Sequence, residues 1–280
     1  MKENETEQYW SLVALEAKDF EKLRLEKWKK VARNWLADYA DKRARDFILR
    51  VVDEVVKLDR SAKVLDVGCG SGKWSTMFAK KCSWVTAVDL SSNMVFLAKE
   101  NAGKEGLVNL DFHVMNVAKL GFADGMYDLV NCVTVLQHIF DDDDWRKAVR
   151  QVIRVCKKDG YVLLFEVAPN FVLKRRTPNL HIRTMSQYLD EFKKAGARLA
   201  YWHAVDLSLP ITYFGLRNYA ASFNRRVYYF MSRRKLFPSF LSFLSFASVL
   251  LARMIDYKLA ETPLSYLSSG RILLFQKTSG

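Results

Sequence analysis

The chain has 280 residues, half of them apolar and 27% charged, with four cysteines and a net charge of +13. Such a chain buries ~75% of its unfolded surface, which excludes a disordered tail, a collagen-like repeat and a small disulfide-stapled scaffold. The charge is local: residues 171–280 hold 17 Lys and Arg against 5 Asp and Glu, whereas residues 1–170 hold 27 against 26.

Met1 to Lys30 is dense in Glu and Lys and has no apolar signal-peptide stretch, which reads as cytoplasmic. Residues 16–40 place Trp28, Val31, Trp35 and Tyr39 at helical spacing, and residues 44–58 repeat the pattern with Phe47, Ile48, Val51, Val52 and Val55. Short apolar runs follow at Lys63–Val67, Trp84–Asp89, Leu110–Val114, Tyr127–Val133 and Tyr161–Glu166. Helices are expected near 73–81, 91–102 and 143–157, with a linker at 115–126. Buried, non-alternating strands separated by helices point to a parallel sheet covered on both faces. Thr184-Met-Ser-Gln187 reads as a capping box whose helix stops at Gly196, and residues 197–205 and 271–277 read as two last strands. The expected organisation is N-terminal helices over 1–60, a cofactor domain over 61–206, a helical insertion over 207–265 and the last strand within 266–280.

The chemistry sits in Val64-Leu65-Asp66-Val67-Gly68-Cys69-Gly70-Ser71-Gly72-Lys73, which leaves the first strand and enters a helix. Gly68 and Gly70 permit a tight turn and a close approach of backbone to a ligand. Asp89 ends the second strand, where a carboxylate can accept from both ribose hydroxyls of an adenosine cofactor. A dinucleotide loop wants its third glycine at position 73, which is Lys. Asp66 would repel a pyrophosphate but suits an ammonium group, and no Gly-Lys-Ser/Thr closes a Walker loop. S-adenosylmethionine fits best.

The glycine loop, Asp89, the run from Tyr127 to Ile139 and the Lys158-Asp159-Gly160 turn together resemble the class I S-adenosylmethionine-dependent methyltransferases, in particular the quinone- and sugar-methylating group. The resemblance covers roughly residues 45–205. It implies an α/β, Rossmann-like seven-stranded and mostly parallel sheet, with a helical insertion between the last two strands. It further implies that Asp66, Gly68 and Gly70 hold the methionine end of S-adenosylmethionine, with Cys69 also cofactor-binding, and that Asp89 clamps the ribose with Leu90 against the adenine. Asn116 stands where the family usually has Asp and would meet the adenine amino group, with the backbone N–H of Val117 on a ring nitrogen. Residues from Cys132 to Gln137, Val133 and Gln137 among them, would line the methyl-donor pocket. The product would be S-adenosyl-L-homocysteine, with no metal.

His138 is a candidate base for an acceptor hydroxyl, and Glu166, at the end of strand five, is a second. Packing at the start of the next helix is an equal reading of His138, and a solvated strand-end acid is the blander reading of Glu166. Asp141–Asp144 reads as the acidic start of a helix rather than a metal cluster. Cys69, Cys82, Cys132 and Cys156 lack zinc-ligand spacing and read as buried free thiols.

Within 207–265, Arg217, Arg225, Arg226 and Arg233 alternate with aromatic residues, and Leu236 to Ala252 is free of charge. A cap over a substrate pocket and peripheral membrane contact through 213–256 are both compatible with that pattern, and nucleic acid is disfavoured by the Phe/Leu run. The expected activity is methyl transfer to a small or lipid-linked acceptor, at oxygen. An RNA or protein methyltransferase and a non-catalytic cofactor-binding module are the alternatives, and the oligomeric state stays open.

Overall fold

The structure is a computed structural model that describes residues 6–12, 44–171, 180–205 and 270–278. The expected helix at 16–40 and the insertion at 207–265, including Leu236 to Ala252, lie outside the described residues.

Seven strands form one sheet: β1 (Lys63–Val67), β2 (Trp84–Asp89), β3 (Leu110–Val114), β4 (Tyr127–Val133), β5 (Cys156–Val167), β6 (Ala197–Ala204) and β7 (Gly270–Lys277). Their order is β3-β2-β1-β4-β5-β7-β6. The first five pair in parallel, and β7 runs antiparallel between β5 and β6. The Rossmann-like sheet expected from the sequence is therefore present, with its order reversing between β1 and β4. Ligands of open α/β sheets bind at such a switch point, outside the carboxyl ends of the strands.

Why these segments are strands is legible in their burial. Val64, Leu65, Val85, Ala87, Leu129 and Val130 are wholly inaccessible to solvent. Both faces of the central strands are covered, so both sets of their side chains are mostly apolar, whereas the edge strands β3 and β6 leave Asp111, His113, Arg198 and Trp202 exposed. On one face, helix α5 (Asp142–Val155) and helix α6 (Met185–Lys194) bury Trp145, Val149, Val152, Tyr188 and Phe192 against Leu164, Leu273 and Phe275. On the other face, helical residues 44–51 (α2) and helix α3 (Lys73–Ala79) bury Ile48, Val51 and Phe78 against Val64, Leu129 and Leu163. Residues 6–12 form a short helical segment, α1. Helix α4 (Ser92–Lys104) covers β2 and β3, and its N-cap, Ser91, accepts from the Met94 N–H.

Two sequence expectations are realised in detail. Thr184 closes a reciprocal capping box with Gln187 at the start of α6. Asp141 accepts the Asp143 and Asp144 N–H groups at 2.9 Å each, so the acidic run does cap α5. One boundary differs: α5 ends at Val155 and β5 already begins at Cys156. Cys156 pairs with Tyr127 and Tyr161 with Leu129, so the expected Lys158-Asp159-Gly160 turn is a bulge inside the strand. Asp159 takes a left-handed φ of 61° there, and a Cβ at position 160 would meet the Asp128 carbonyl oxygen at 2.9 Å, which is why glycine follows it.

Among the described residues, no helix is long and apolar enough to cross a membrane.

Candidate functional site

A cavity of about 240 Å³ opens at the carboxyl ends of β1, β2 and β4. One end is walled by Gly68, Gly70, Asp89, Leu90, Asn116 and Val117. The other holds His138, Phe140, Asp141 and Asp144, with Thr6 and Trp10 of α1. Of the expected cofactor residues, the structure brings those six together at the first end. Asp66, Cys69, Val133 and Gln137 are not part of the lining, and neither is Glu166.

The glycine loop is shaped by positive backbone angles. Gly68 sits at φ 65°, and a Cβ there would meet Val135 Cγ2 at 2.5 Å. Gly72, at φ 83°, caps α3 and lies against Ala98 of α4, where a Cβ would approach the Ala98 Cα to 3.1 Å. The third glycine of the loop therefore serves close packing of one helix on another. Cys69 is turned away from the cavity, packed with Ala87 and Ala98.

Asp66 is placed otherwise than expected. It is 1% exposed, and its two oxygens accept from Ser75 Oγ at 2.5 Å and Asn131 Nδ2 at 2.8 Å. It braces β1 against α3 and β4 beneath the loop, and an ammonium group in the cavity would not meet it. Burial pushes its carboxyl up to about 6, against the pull of those two hydrogen bonds.

Asp89 does face the cavity. One oxygen accepts the Gly70 N–H at 2.9 Å and the other the Ser91 N–H at 2.9 Å. Each carboxylate oxygen has a second lone pair, so the group can still receive two hydroxyls. Burial raises its pKa despite the backbone donors from Ser91, Gly70 and Leu90. Leu90, Met94, Met115 and Val117 give this end apolar walls suited to a planar base. The Asn116 Oδ1 accepts the Ala118 N–H at 2.8 Å and caps the short turn Val117–Lys119. The Val117 N–H is the first of that turn, a position without a partner inside a helix. The described residues thus fit the adenosine half of S-adenosylmethionine. The expected acid for its ammonium group is absent from the lining.

The chain leaving β4 is strained and tied down. Thr134 adopts φ 57°, a left-handed conformation that costs a β-branched residue on the order of 1–3 kcal/mol. Its N–H donates to the Phe165 carbonyl at 2.8 Å. Glu166, expected as a base, is 1% exposed and points away from the cavity. Its Oε1 accepts the N–H groups of Val135 at 2.8 Å and Leu136 at 2.9 Å, and its Oε2 that of Gln137 at 3.0 Å. The structure thus places this carboxyl group on the backbone of the turn and not in the cavity lining, where a base was expected. Gln137 is also a tie rather than a lining residue, its Oε1 accepting the Val167 N–H at 2.9 Å. Val133 packs into the core beside Phe165.

At the far end, the His138 ring meets Trp10 edge to face, with centroids 4.9 Å apart. Ser11 and Ser91 share a hydroxyl hydrogen bond of 3.0 Å, which fastens α1 across the mouth. Trp10 was not among the residues singled out from the sequence. Its signal was an isolated Tyr-Trp pair in a charged stretch. Asp141 and Asp144 contribute to the rim besides starting α5, and Asp144 pairs with Lys147 at 2.8 Å.

The buried acids set a pH dependence. Burial also pushes Glu166 up to about 8, against its three backbone donors and the charge of Arg183. Both Asp66 and Glu166 therefore hold protons in the folded state that they release on unfolding. Their contribution is full below about pH 4 and is lost as pH rises through about 6 and then about 8. We expect an Asp66→Asn variant to lack the first step. Its stability relative to wild type, from urea titrations at intervals between about pH 4 and 9, should rise across that step. The four thiols are all buried, which pushes Cys82 up to about 11 and Cys156 up to about 12, so neither serves as a nucleophile at neutral pH.

A methyltransferase-domain family model matches residues 64–160, the span from β1 to the bulge in β5. An uncharacterized methyltransferase of Bacillus subtilis, YcgJ, is 32% identical over 160 residues, covering 54% of this chain and 62% of that protein. A ubiquinone biosynthesis O-methyltransferase of Xanthomonas oryzae pv. oryzae is 36% identical over 104 residues, covering 37% of this chain and 42% of that protein. The matched segments thus fall short of two thirds of these relatives' length. Among solved structures, the cyclase SpnF is similar with a TM-score of 0.57 at 25% identity, over 84% of this chain and 81% of that one. The structure of YcgJ gives a TM-score of 0.53 at 20% identity, over 83% and 98% of the two chains, a likeness of fold.

Proposed function

We propose that this chain, which carries a class I S-adenosylmethionine-dependent methyltransferase domain, moves a methyl group to a hydroxyl of a small or lipid-linked acceptor. The observation that carries the reading is Asp89: a cavity-facing carboxylate beside the glycine loop, each oxygen held by one backbone N–H and able to accept one more hydrogen bond. Gly68, Gly70, Leu90, Asn116 and Val117 would complete the cofactor's bed. When bound there, S-adenosylmethionine supplies an electrophilic methyl group on a sulfonium.

The remaining work falls to the chain's own residues. Alignment of donor and acceptor dominates such a transfer. Trp10 and Phe140 offer apolar walls for the acceptor at the His138 end, and α1 covers part of it. A neutral His138 imidazole receives the acceptor hydroxyl's proton as the new bond to carbon forms. His138→Ala is expected to lower turnover about 100-fold with cofactor affinity intact, measured by methyl transfer and by calorimetry. Unchanged turnover would remove His138 from the mechanism.

The O-methyltransferase name of a relative favours oxygen as the acceptor atom. A lipid-linked acceptor rests on the sequence of residues 213–256, whose basic and aromatic residues suit a peripheral contact with anionic membranes. Co-sedimentation with anionic vesicles at low and high salt tests this, and no binding at low salt refutes it. A second reading, a cofactor-binding domain that does not methylate, is favoured by the likeness to a protein named as a cyclase. Tight S-adenosylmethionine binding with no methyl transfer to any acceptor would support it.

A further inference from the structure

Glu166 lies outside the cavity, and its surroundings show what it does instead. Val135, Leu136 and Gln137 are consecutive, and their N–H groups begin the short turn Leu136–His138, where helical geometry gives them no partner. Leu136 is fully buried and Gln137 is 6% exposed, so water cannot replace a lost acceptor there. One carboxyl group receives all three.

That turn connects the two ends of the cavity. Val135 forms the roof over Gly68, so close that a single added methyl group at position 68 would collide with it. The His138 N–H donates to the Val135 carbonyl at 3.0 Å, which links the imidazole-bearing residue to the same roof. The Gln137 carbonyl in turn accepts the His181 N–H at 2.8 Å. Facing Glu166 from neighbouring elements are Arg183, ahead of α6, Tyr188 on α6 and Cys132 on β4. Arg183 is held by Asp142 at 2.8 Å and lies over the Trp145 ring, 4.5 Å from its centroid.

We infer that Glu166 is a positioning residue, whose grip on the three N–H groups fixes Val135 over the glycine loop and His138 at the acceptor end. This rests on the methyltransferase reading only for what the two ends bind.

The test uses the full chain, with Glu166→Leu and Glu166→Gln compared with wild type well below the unfolding temperature. Amide hydrogen exchange, resolved by NMR, reads the turn, and calorimetry with S-adenosylhomocysteine reads the roof. In Glu166→Leu the amides of residues 135–137 should exchange at least about tenfold faster, with Leu129 and Val130 of β4 as protected as in wild type. Affinity for S-adenosylhomocysteine should fall about tenfold. Glu166→Gln should restore most of both, because its amide oxygen can still receive Val135 and Leu136, leaving Gln137 alone accelerated. Unchanged exchange at the three amides overturns the inference, as does a loosened turn with unchanged affinity. Should Glu166→Leu fail to fold, faster exchange confined to Gln137 in Glu166→Gln sustains it and wild-type rates there refute it. Should wild type not bind S-adenosylhomocysteine at all, the methyltransferase reading fails, and exchange alone decides the role of Glu166.

Discussion

Replacing Asp89 with Ala is expected to weaken S-adenosylmethionine binding by 100-fold or more, without unfolding the chain. Two ligand hydroxyls would lose a charged acceptor, and hydrogen bonds to charged groups are each worth about 1.5–3 kcal/mol. The substitution also releases the Gly70 and Ser91 N–H groups, which the carboxylate holds at 2.9 Å each. Gly70 lines the cavity, where water can replace the lost acceptor, whereas Ser91 is fully buried, so part of the loss falls on the fold. Asp89→Asn keeps one acceptor oxygen and should fall between. The raised pKa of Asp89 adds a second signature: affinity should drop as pH falls through a value above that of an ordinary aspartate. Calorimetric titration of the folded variants measures both effects. Wild-type affinity in Asp89→Ala would remove the ribose clamp from the account.

Gly68→Ala should act on fold and ligand together. The left-handed φ of 65° costs an alanine about 1–2 kcal/mol. Its Cβ would approach Val135 Cγ2 to 2.5 Å. Val135 is β-branched and its backbone is pinned by Glu166, so it has little freedom to give way. We expect a loss of about 2–4 kcal/mol in stability, roughly 5–15 °C in thermal midpoint. Cofactor affinity should fall at least about tenfold, because the displaced roof is a wall of the cavity. Gly70→Ala makes an instructive contrast. Its Cβ meets nothing within 4 Å, so only the backbone angle and the approach of the ligand are penalised. If Gly68→Ala were as stable as wild type, the tight roof would not exist.

The sheet was legible because strands buried on both faces leave an unmistakable trace: Val64 to Val67, Ala87 to Val88 and Leu129 to Val133 carry apolar side chains on both faces. The proximity of the glycine loop and Asp89 was legible for a different reason. A glycine loop leaving β1 and an acid ending β2 are local features whose spacing the fold converts directly into proximity. Asp66 and Glu166 lie outside the cavity: both are acids near strand ends, and composition does not show which neighbour receives the side chain. For Glu166 that neighbour is the turn after β4, set by the pairing of Val133 with Phe165. Thr134 carried no warning, since a β-branched residue is the last expected at positive φ. Trp10 meets His138 only through tertiary folding, and nothing near either residue announces the other.

Asp89 and the glycine loop are proposed to hold a methyl donor whose group passes to a small or lipid-linked acceptor. Incubation of the full chain with methyl-labelled S-adenosylmethionine and separate lipid, small-metabolite, RNA and protein fractions tests it most directly. Label is expected in the lipid or small-metabolite fraction, and should be lost in Asp89→Ala. Label confined to RNA or protein, or label that persists undiminished in Asp89→Ala, would contradict it.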